Sequence, residues 1–553
     1  MSSDVAPRVA RDITAPSGPV LAVADLSVGY QVGRGTKTAV EHISFELEPG
    51  QVLALVGESG SGKSTIGHAI LGLLPSNGRL LGGSVSHQGR TISDLPDGQL
   101  RELRGRAISL IPQDPTVSLD PVRRVGPQVE DVLRLHTGLD TAARRQRVHE
   151  LFELVGFDDV ERRYRQFPHE LSGGMRQRVL IAAAVAVEPD VIVADEPTSG
   201  LDATVQAQVL DLIDDLRRRG GTSVVLITHD LGVAADRSDL VGVVRDGRLT
   251  ELAPTEAFVQ SPQDEYSRHL LANLPSRLSF TRDRADRAPS ERPEEPAVEV
   301  TNLSKHYGGH AAVDDISFTV GRGRTFSIVG ESGSGKSTTA RVLTGLIQAT
   351  AGQISLLGAE VGTLDTKAFR PLRRDVQIVF QNPYASFDPR FDVLSVVEEP
   401  LRSFQPGGSS RRRRKENRDR VVAALEAAAL PASFLHRHPR ELSGGQRQRV
   451  AIARALVLEP KVVVLDEPVS ALDVSVQAQI LELLVKLQSE LGLTYVFISH
   501  DLAVVRAISD RVAVMRRGRI VEQGEIAQVF ESPASPYTAQ LLGAMAGRQL
   551  ANH

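Results

Sequence analysis

The string GESGSGKST stands at Gly57–Thr65 and again at Gly330–Thr338, and this repetition constrains the chain more than any other feature. Each copy follows an apolar run, Val52–Val56 or Thr325–Val329, and opens a stretch expected to be helical from Lys63 or Lys336. Three more landmarks recur in the same order. They are LSGG at Leu171–Gly174 and Leu442–Gly445, DEP at Asp195–Pro197 and Asp466–Pro468, and a His-Asp pair at His229–Asp230 and His500–Asp501. The interval from first to second occurrence is constant to within two residues, so a whole domain is written twice.

The duplication sets the expected boundaries: a flexible N-terminus over 1–20, one domain over 21–280, a linker over 281–296 and a second domain over 297–553. The linker TRDRADRAPSERPEEP is charged, contains proline and lacks large apolar residues, which keeps it from joining a core. Each domain begins with alternating β-type segments, Leu21–Val23 with Ile43–Leu47 and Val298–Val300 with Ile316–Val320. Further apolar strands are expected at Val191–Ala194 and Val462–Leu465, ending at the acidic pair. Others, Ser223–Ile227 and Thr494–Ile498, end at the histidine. Strands alternating with helices imply an α/β fold with a parallel sheet, whose ligands sit at the carboxyl ends of strands.

Composition removes several function classes. The chain has 553 residues and no cysteine, which excludes disulfides, cysteine-ligated zinc and an iron–sulfur cluster. A formal net charge of −4 offers no overall attraction to nucleic acid. The polar start, Met1–Pro19, lacks the apolar stretch of a signal peptide, and the run Val179–Val187 is far short of the roughly 20 residues of a spanning helix. The expectation is a cytoplasmic protein able to dock on a membrane protein.

The glycine string after an apolar strand is a phosphate cradle, GxxxxGK[ST]. Gly57, Gly60 and Gly62, and Gly330, Gly333 and Gly335, let backbone N–H groups converge on phosphates at a helix N-terminus. Lys63 and Lys336 are expected on the β- and γ-phosphates, with Ser64, Thr65, Ser337 and Thr338 beside them and the two serines holding Mg²⁺. Asp195 and Asp466 suit a carboxylate that holds Mg²⁺. Glu196 and Glu467 follow as general bases for the attacking water. His229 and His500 end a strand where an imidazole reaches a γ-phosphate. Taken singly, an acidic pair is an ordinary cap and a histidine an ordinary surface residue; their matched order downstream of a phosphate loop favours chemistry.

With LSGGMRQR at Leu171–Arg178 and LSGGQRQR at Leu442–Arg449 the sequence resembles the ATP-binding cassette family. The resemblance covers about residues 20–275 and 297–545. It implies two P-loop NTPase (RecA-like) domains in tandem, each with a helical subdomain and an antiparallel β subdomain. The substrate is then ATP and the metal Mg²⁺. Ser172, Gly173 and Gly174, and Ser443, Gly444 and Gly445, are the signature residues implied to contact nucleotide. Composite sites follow from the family pattern, Lys63 facing Ser443 and Lys336 facing Ser172. Tyr30 and Tyr307 match the aromatic that stacks on adenine, and Gln113 and Gln381 match the glutamine that senses Mg²⁺ and a permease. SGLD at Ser199–Asp202 and SALD at Ser470–Asp473 match the D-loop. Neither copy lacks a site residue, so both are expected to hydrolyse ATP.

Finer features are similar to the oligopeptide/dipeptide importer subfamily: QDPTVSLDP at Gln113–Pro121, QNPYASFDP at Gln381–Pro389, and the endings SPQDEYSRHLL at Ser261–Leu271 and SPASPYTAQLL at Ser532–Leu542. That resemblance implies two integral-membrane permease subunits and an extracytoplasmic solute-binding protein as partners, and a peripheral position on the cytoplasmic face of the cell (inner) membrane. The subfamily's iron–sulfur centre cannot be carried over to a chain without cysteine. The alternatives are a soluble tandem ATPase acting on ribosomes or nucleic acid, a nucleotide-gated module without turnover, and import of another cargo such as a nickel chelate or glutathione. Arg411–Lys415, RRRRK, is expected as a solvated loop ahead of a helix around Glu416–Ala429, with contact to anionic lipid headgroups as the other reading.

Overall fold

A computed structural model describes residues 18–278, 280, 295–361, 367–404, 411–470, 472–547 and 550. The expected linker, apart from 295 and 296, and the first 17 residues lie outside the described residues. The chain divides into two compact units, one of 18–199, 209–229 and 237–261, the other of 200–208, 230–236 and 262–550.

Among the described residues the first unit holds ten strands: β1 Leu21–Val32, β2 Gly35–Leu47, β3 Val52–Val56, β4 Gly78–His87, β5 Arg90–Thr91, β6 Ile108–Ile111, β7 Val191–Asp195, β8 Ser223–Ile227, β9 Leu240–Arg245 and β10 Arg248–Pro254. Six form a sheet in the order β10-β9-β3-β8-β7-β6, parallel throughout except for β10, which returns antiparallel to β9. All five residues of β3, of β7 and of β8 are buried. Such strands are covered on both faces, which is why they read as unbroken apolar runs rather than alternating ones. The other four strands form an antiparallel sheet, β2-β1-β4-β5. Val23, Leu26, Val28, Val40 and Ile43 of that sheet share one core with Leu53, Leu55 and Ile66.

The second unit repeats the plan with β11 Pro296–Tyr307, β12 His310–Gly321, β13 Thr325–Val329, β14 Ala351–Leu356, β15 Ala359–Glu360, β16 Val376–Val379, β17 Val462–Asp466, β18 Thr494–Ile498, β19 Arg511–Arg516 and β20 Arg519–Glu525. Its sheets run β12-β11-β14-β15 and β16-β17-β18-β13-β19-β20. Phe318 of β12 stacks on Phe326 of β13 with ring centroids 4.9 Å apart, fastening the antiparallel sheet to the parallel one.

Between β6 and β7 the first unit carries helices Val125–His136, Thr141–Leu154, Val160–Arg165 and Gly173–Val185. Between β16 and β17 the second carries Val393–Phe404, Arg411–Ala427 and Gly444–Leu456. These are the helical subdomains. Among the described residues, no helix is long and apolar enough to cross a membrane.

Two expectations change. The opening strands are far longer than Leu21–Val23 and Ile43–Leu47, because register shifts interrupt the alternation that marks a strand in sequence. Asp25 and His42 adopt φ of 53° and 55° there, as Asn302 and Asp315 do at 49° and 55° in the second unit. Arg411–Lys415 is not a loop but the first turn of the helix Arg411–Ala427. All five side chains are exposed, and Arg412 pairs with Glu416 one turn on at 2.8 Å.

Candidate functional site

In both units the phosphate loop leaves a buried parallel strand and turns into a helix. Gly57 sits at φ 147°, and a Cβ there would lie 2.1 Å from the Val244 carbonyl oxygen. Gly330 matches it at φ 151°, with 2.2 Å to the Met515 carbonyl oxygen. Only glycine lets the loop pass this close to the neighbouring strand. Gly62 and Gly335 cap the helices Lys63–Ile70 and Lys336–Leu343 in the left-handed conformation, and Gly60 and Gly333 also have positive φ.

The loop curls around its lysine. Lys63 Nζ donates to the carbonyls of Gly57 at 2.7 Å and Glu58 at 2.8 Å. Lys336 Nζ donates to Gly330 at 2.7 Å and Glu331 at 2.8 Å. Both side chains are buried, and burial pushes the Lys336 ammonium below its ordinary value despite the opposing charge of Glu467.

The hydroxyl that follows each lysine meets the strand-end aspartate. Ser64 Oγ donates to Asp195 Oδ1 at 3.0 Å, and Ser337 Oγ to Asp466 Oδ1 at 3.1 Å. Burial raises both carboxyls above their ordinary value, and the serine hydrogen bonds only partly oppose it. Hydroxyl, carboxylate and the glutamine amide are a hard donor set that fits Mg²⁺, whose preference is for oxygen. Among the described residues, no cluster of three or more His, Cys, Asp or Glu competes as a metal site.

Glu196 and Glu467 adopt φ of 45° and 49°, a conformation that costs a non-glycine residue energy and recurs at functional sites. The glutamate N–H holds the turn by donating to Ile227 at 2.8 Å and Ile498 at 2.9 Å. Each carboxylate gathers two further partners. Gln113 Nε2 donates to Glu196 Oε2 at 2.9 Å and Gln381 Nε2 to Glu467 Oε2 at 2.8 Å. His229 Nδ1 lies 3.2 Å from Glu196 Oε1, and His500 Nδ1 lies 3.0 Å from Glu467 Oε2. Burial would raise these carboxyls, but the histidine hydrogen bond and charge and the nearby lysine outweigh it, so both lie below their ordinary value. Burial would likewise lower His500, yet Glu467 holds it above. The acid ending each strand is thus poised toward neutrality and the next one toward charge.

The signature serines open helices. Ser172 Oγ accepts from Met175 N at 3.4 Å, and Ser443 Oγ from Gln446 N at 3.3 Å, as N-caps of Gly173–Val185 and Gly444–Leu456. Gly173 and Gly174, and Gly444 and Gly445, form the first turns, and a Cβ on Gly445 would meet Val476 at 2.4 Å. The tyrosines differ: Tyr30 OH lies 3.0 Å from Thr65 Oγ1, whereas Tyr307 is exposed with Lys305 Nζ 5.1 Å from its ring centre. Thr338 is half-buried beside Ser337.

Sequence reasoning gave the aspartates after the histidines no role. Asp230 Oδ1 accepts from Gly232 N at 2.8 Å and Val233 N at 3.2 Å, and Asp501 Oδ1 from Ala503 N at 2.8 Å and Val504 N at 3.2 Å. They cap the next helix and so fix the direction in which the chain leaves each histidine. An aspartate just ahead of an apolar helical run is the signal that could have found them.

Residues 40–199 and 313–470 match the ABC transporter family, and residues 521–548 match the oligopeptide/dipeptide transporter C-terminal region. The chain is 43% identical to the peptidoglycan transport ATP-binding protein YejF of Agrobacterium fabrum, over 95% of this chain and 96% of that one. It is 40% identical to the oligopeptide transport ATP-binding protein OppD of Mycobacterium tuberculosis, over 95% and 98%. It is also 40% identical to the glutathione import ATP-binding protein GsiA of Escherichia coli, over 96% and 90%. Two complete phosphate loops, two signature helices and full-length relatives of one kind agree: the chain belongs to the ABC transporter family, as an ATP-hydrolysing protein with two cassettes in tandem.

Proposed function

We propose that the chain is the ATPase that powers import of di- and oligopeptides through two integral-membrane permease subunits, fed by an extracytoplasmic solute-binding protein. It acts from the cytoplasmic face of the cell membrane as a peripheral protein. The single observation that carries the cargo class is the C-terminal match at 521–548, joined to relatives of nearly the same length named for oligopeptide and peptidoglycan transport. The relative named for glutathione import makes that compound the second candidate cargo.

In this reading Lys63 and Lys336 release their own loop carbonyls to meet the β- and γ-phosphates of ATP. Ser64, Asp195 and Gln113, and Ser337, Asp466 and Gln381, hold Mg²⁺, which when bound neutralises charge on the phosphate oxygens. Glu196 and Glu467, kept ionised by their histidine partners, take the proton of the attacking water. His229 and His500 share that carboxylate and face the γ-phosphate, and Tyr30 and Tyr307 support adenine. Support comes from the repeated Ser–Asp and Gln–Glu–His contacts, alike in both units to within 0.2 Å.

The test is reconstitution of the full chain with its permeases and solute-binding protein in vesicles. Peptide added on the binding-protein side should raise ATP turnover and accumulate inside, while glutathione does so less. Co-migration with ribosomes, with no membrane association, would overturn the proposal.

A further inference from the structure

The segments that follow the two site glutamines are held in different ways. After Gln113 the chain makes a short helix, Pro115–Ser118, that fastens itself. Asp114 Oδ1 accepts from Thr116 N at 2.6 Å, and Ser118 Oγ donates to the Asp114 carbonyl at 2.7 Å. Val117 at its centre is 80% exposed.

After Gln381 the matching segment is gripped from outside, by the helix that Ser443 opens. Arg454 Nη1 donates to the Ser386 carbonyl at 2.8 Å, and Nη2 to Ser386 Oγ at 3.0 Å. The same guanidinium lies 5.1 Å from the centre of the Phe387 ring. Two turns earlier on that helix, Arg447 lies 5.0 Å from the Tyr384 ring centre while its Nε donates to the Pro439 carbonyl at 2.9 Å. Burial pushes the Arg454 guanidinium below its ordinary value, a cost met by the two hydrogen bonds and the aromatic face. The first copy keeps the counterpart of Arg447, since Arg176 Nε donates to the Pro168 carbonyl at 2.7 Å, and its Pro115–Ser118 helix packs on the signature helix. Ala183, however, stands where Arg454 does, and Thr116 and Leu119 stand where Tyr384 and Phe387 do.

We propose that Arg454 is a positioning residue that locks the segment after Gln381 to the signature helix, a side-chain anchor that Ala183 cannot supply in the first copy. A pull on Tyr384–Phe387 is then transmitted to Ser443 and Gln381 together, whereas the segment after Gln113 rests on its signature helix by packing, with alanine at the position of the arginine anchor. The two copies would therefore answer the same mechanical input differently. This inference rests on the ATPase reading for its effect on turnover, but the clamp itself can be tested without it.

The experiment compares the full chain with Arg454→Ala and Phe387→Leu, by amide hydrogen exchange and by ATP turnover. Arg454→Ala removes two hydrogen bonds from a charged group and should speed exchange over 382–389 by about tenfold or more. Phe387→Leu removes only the aromatic face and should speed it by about threefold. Both should leave 114–119 unchanged. Normalised to the folded fraction, turnover should show kcat lowered several-fold with KM for ATP unchanged, whereas loss of folded protein alone would leave the normalised kcat intact. Phe387→Leu keeps an apolar side chain and serves if Arg454→Ala does not fold. Unchanged exchange over 382–389, an equal rise over 114–119, or faster local exchange with unaltered kcat each overturns the proposal. An inactive parent chain would count against the ATPase reading, and the exchange data would still decide the clamp.

Discussion

Gln381 donates its side-chain amide to Glu467 at 2.8 Å, so the residue facing the helical subdomain holds the carboxylate at the centre of the site. His500 holds the same oxygen at 3.0 Å. A carboxylate fixed from two sides and kept ionised is pre-oriented for proton abstraction. Glu196→Gln with Glu467→Gln should lower ATP turnover by about 10²-fold or more, the usual contribution of a general base, while ATP still binds. Either single variant should also impair turnover. Steady-state phosphate release beside nucleotide binding measures both, and near-normal turnover in the double variant would remove the general-base assignment.

A pH effect follows from the C-terminal region. Glu522 accepts from Ala534 N at 2.7 Å and Ser535 N at 3.0 Å, at the start of the helix Pro536–Gly543. Burial would raise its carboxyl, but the Thr538 hydroxyl and these two N–H groups hold it below the ordinary 4.5. A lowered carboxyl stabilises the fold above pH 4.5, and that contribution is lost as pH falls through the folded value. Glu522→Ala should thus cost about 1 kcal/mol at neutral pH, discounted for its exposure, with the gap to wild type closing below pH 4.5. Thermal melts across pH 3–7 read this directly, and a gap that widens on acidification would contradict it.

The parts of the fold legible in sequence were those with one physical requirement. Val52–Val56 and Thr494–Ile498 are buried on both faces, so they are apolar end to end and their bounds are readable. β4, Gly78–His87, has only two buried residues and three glycines, and it left no such trace. β6 and β16 are four residues each, too short for a pattern. Arg411–Lys415 was misread because charge density marks solvent exposure, whereas arginine and lysine are also good helix formers. The site was legible because the phosphate loop, acidic pair and histidine are local in sequence and repeated. The Arg454 grip was not, since it joins residues 68 apart and occurs in one copy.

Two glycines of the second phosphate loop separate steric from conformational cost. A Cβ at Gly330 would stand 2.2 Å from the Met515 carbonyl oxygen, whereas at Gly333, with φ 78°, nothing lies within 4 Å. Gly333→Ala should cost only the positive-φ penalty, about 1 kcal/mol, and Gly330→Ala about 3 kcal/mol because backbone must move as well. Denaturant midpoints order the two, and equal costs would show that the close approach of the loop to Met515 is not maintained in solution.

Asp466 shows how far the site is set by function rather than by stability. Its carboxyl is buried and held above its ordinary value, with Ser337 as the hydroxyl donor at 3.1 Å. A buried acid that resists ionisation destabilises the fold at neutral pH, where it must carry charge or take up a proton. Asp466→Asn removes that penalty and keeps an oxygen to accept from Ser337. The variant should melt no lower than wild type without nucleotide. It should also lose Mg²⁺-dependent turnover and the rise in melting temperature that ATP with Mg²⁺ gives the wild type, much as chelating the metal would. A large drop in stability without nucleotide would make Asp466 a structural residue, and retained Mg²⁺-dependent turnover would remove it from the metal site.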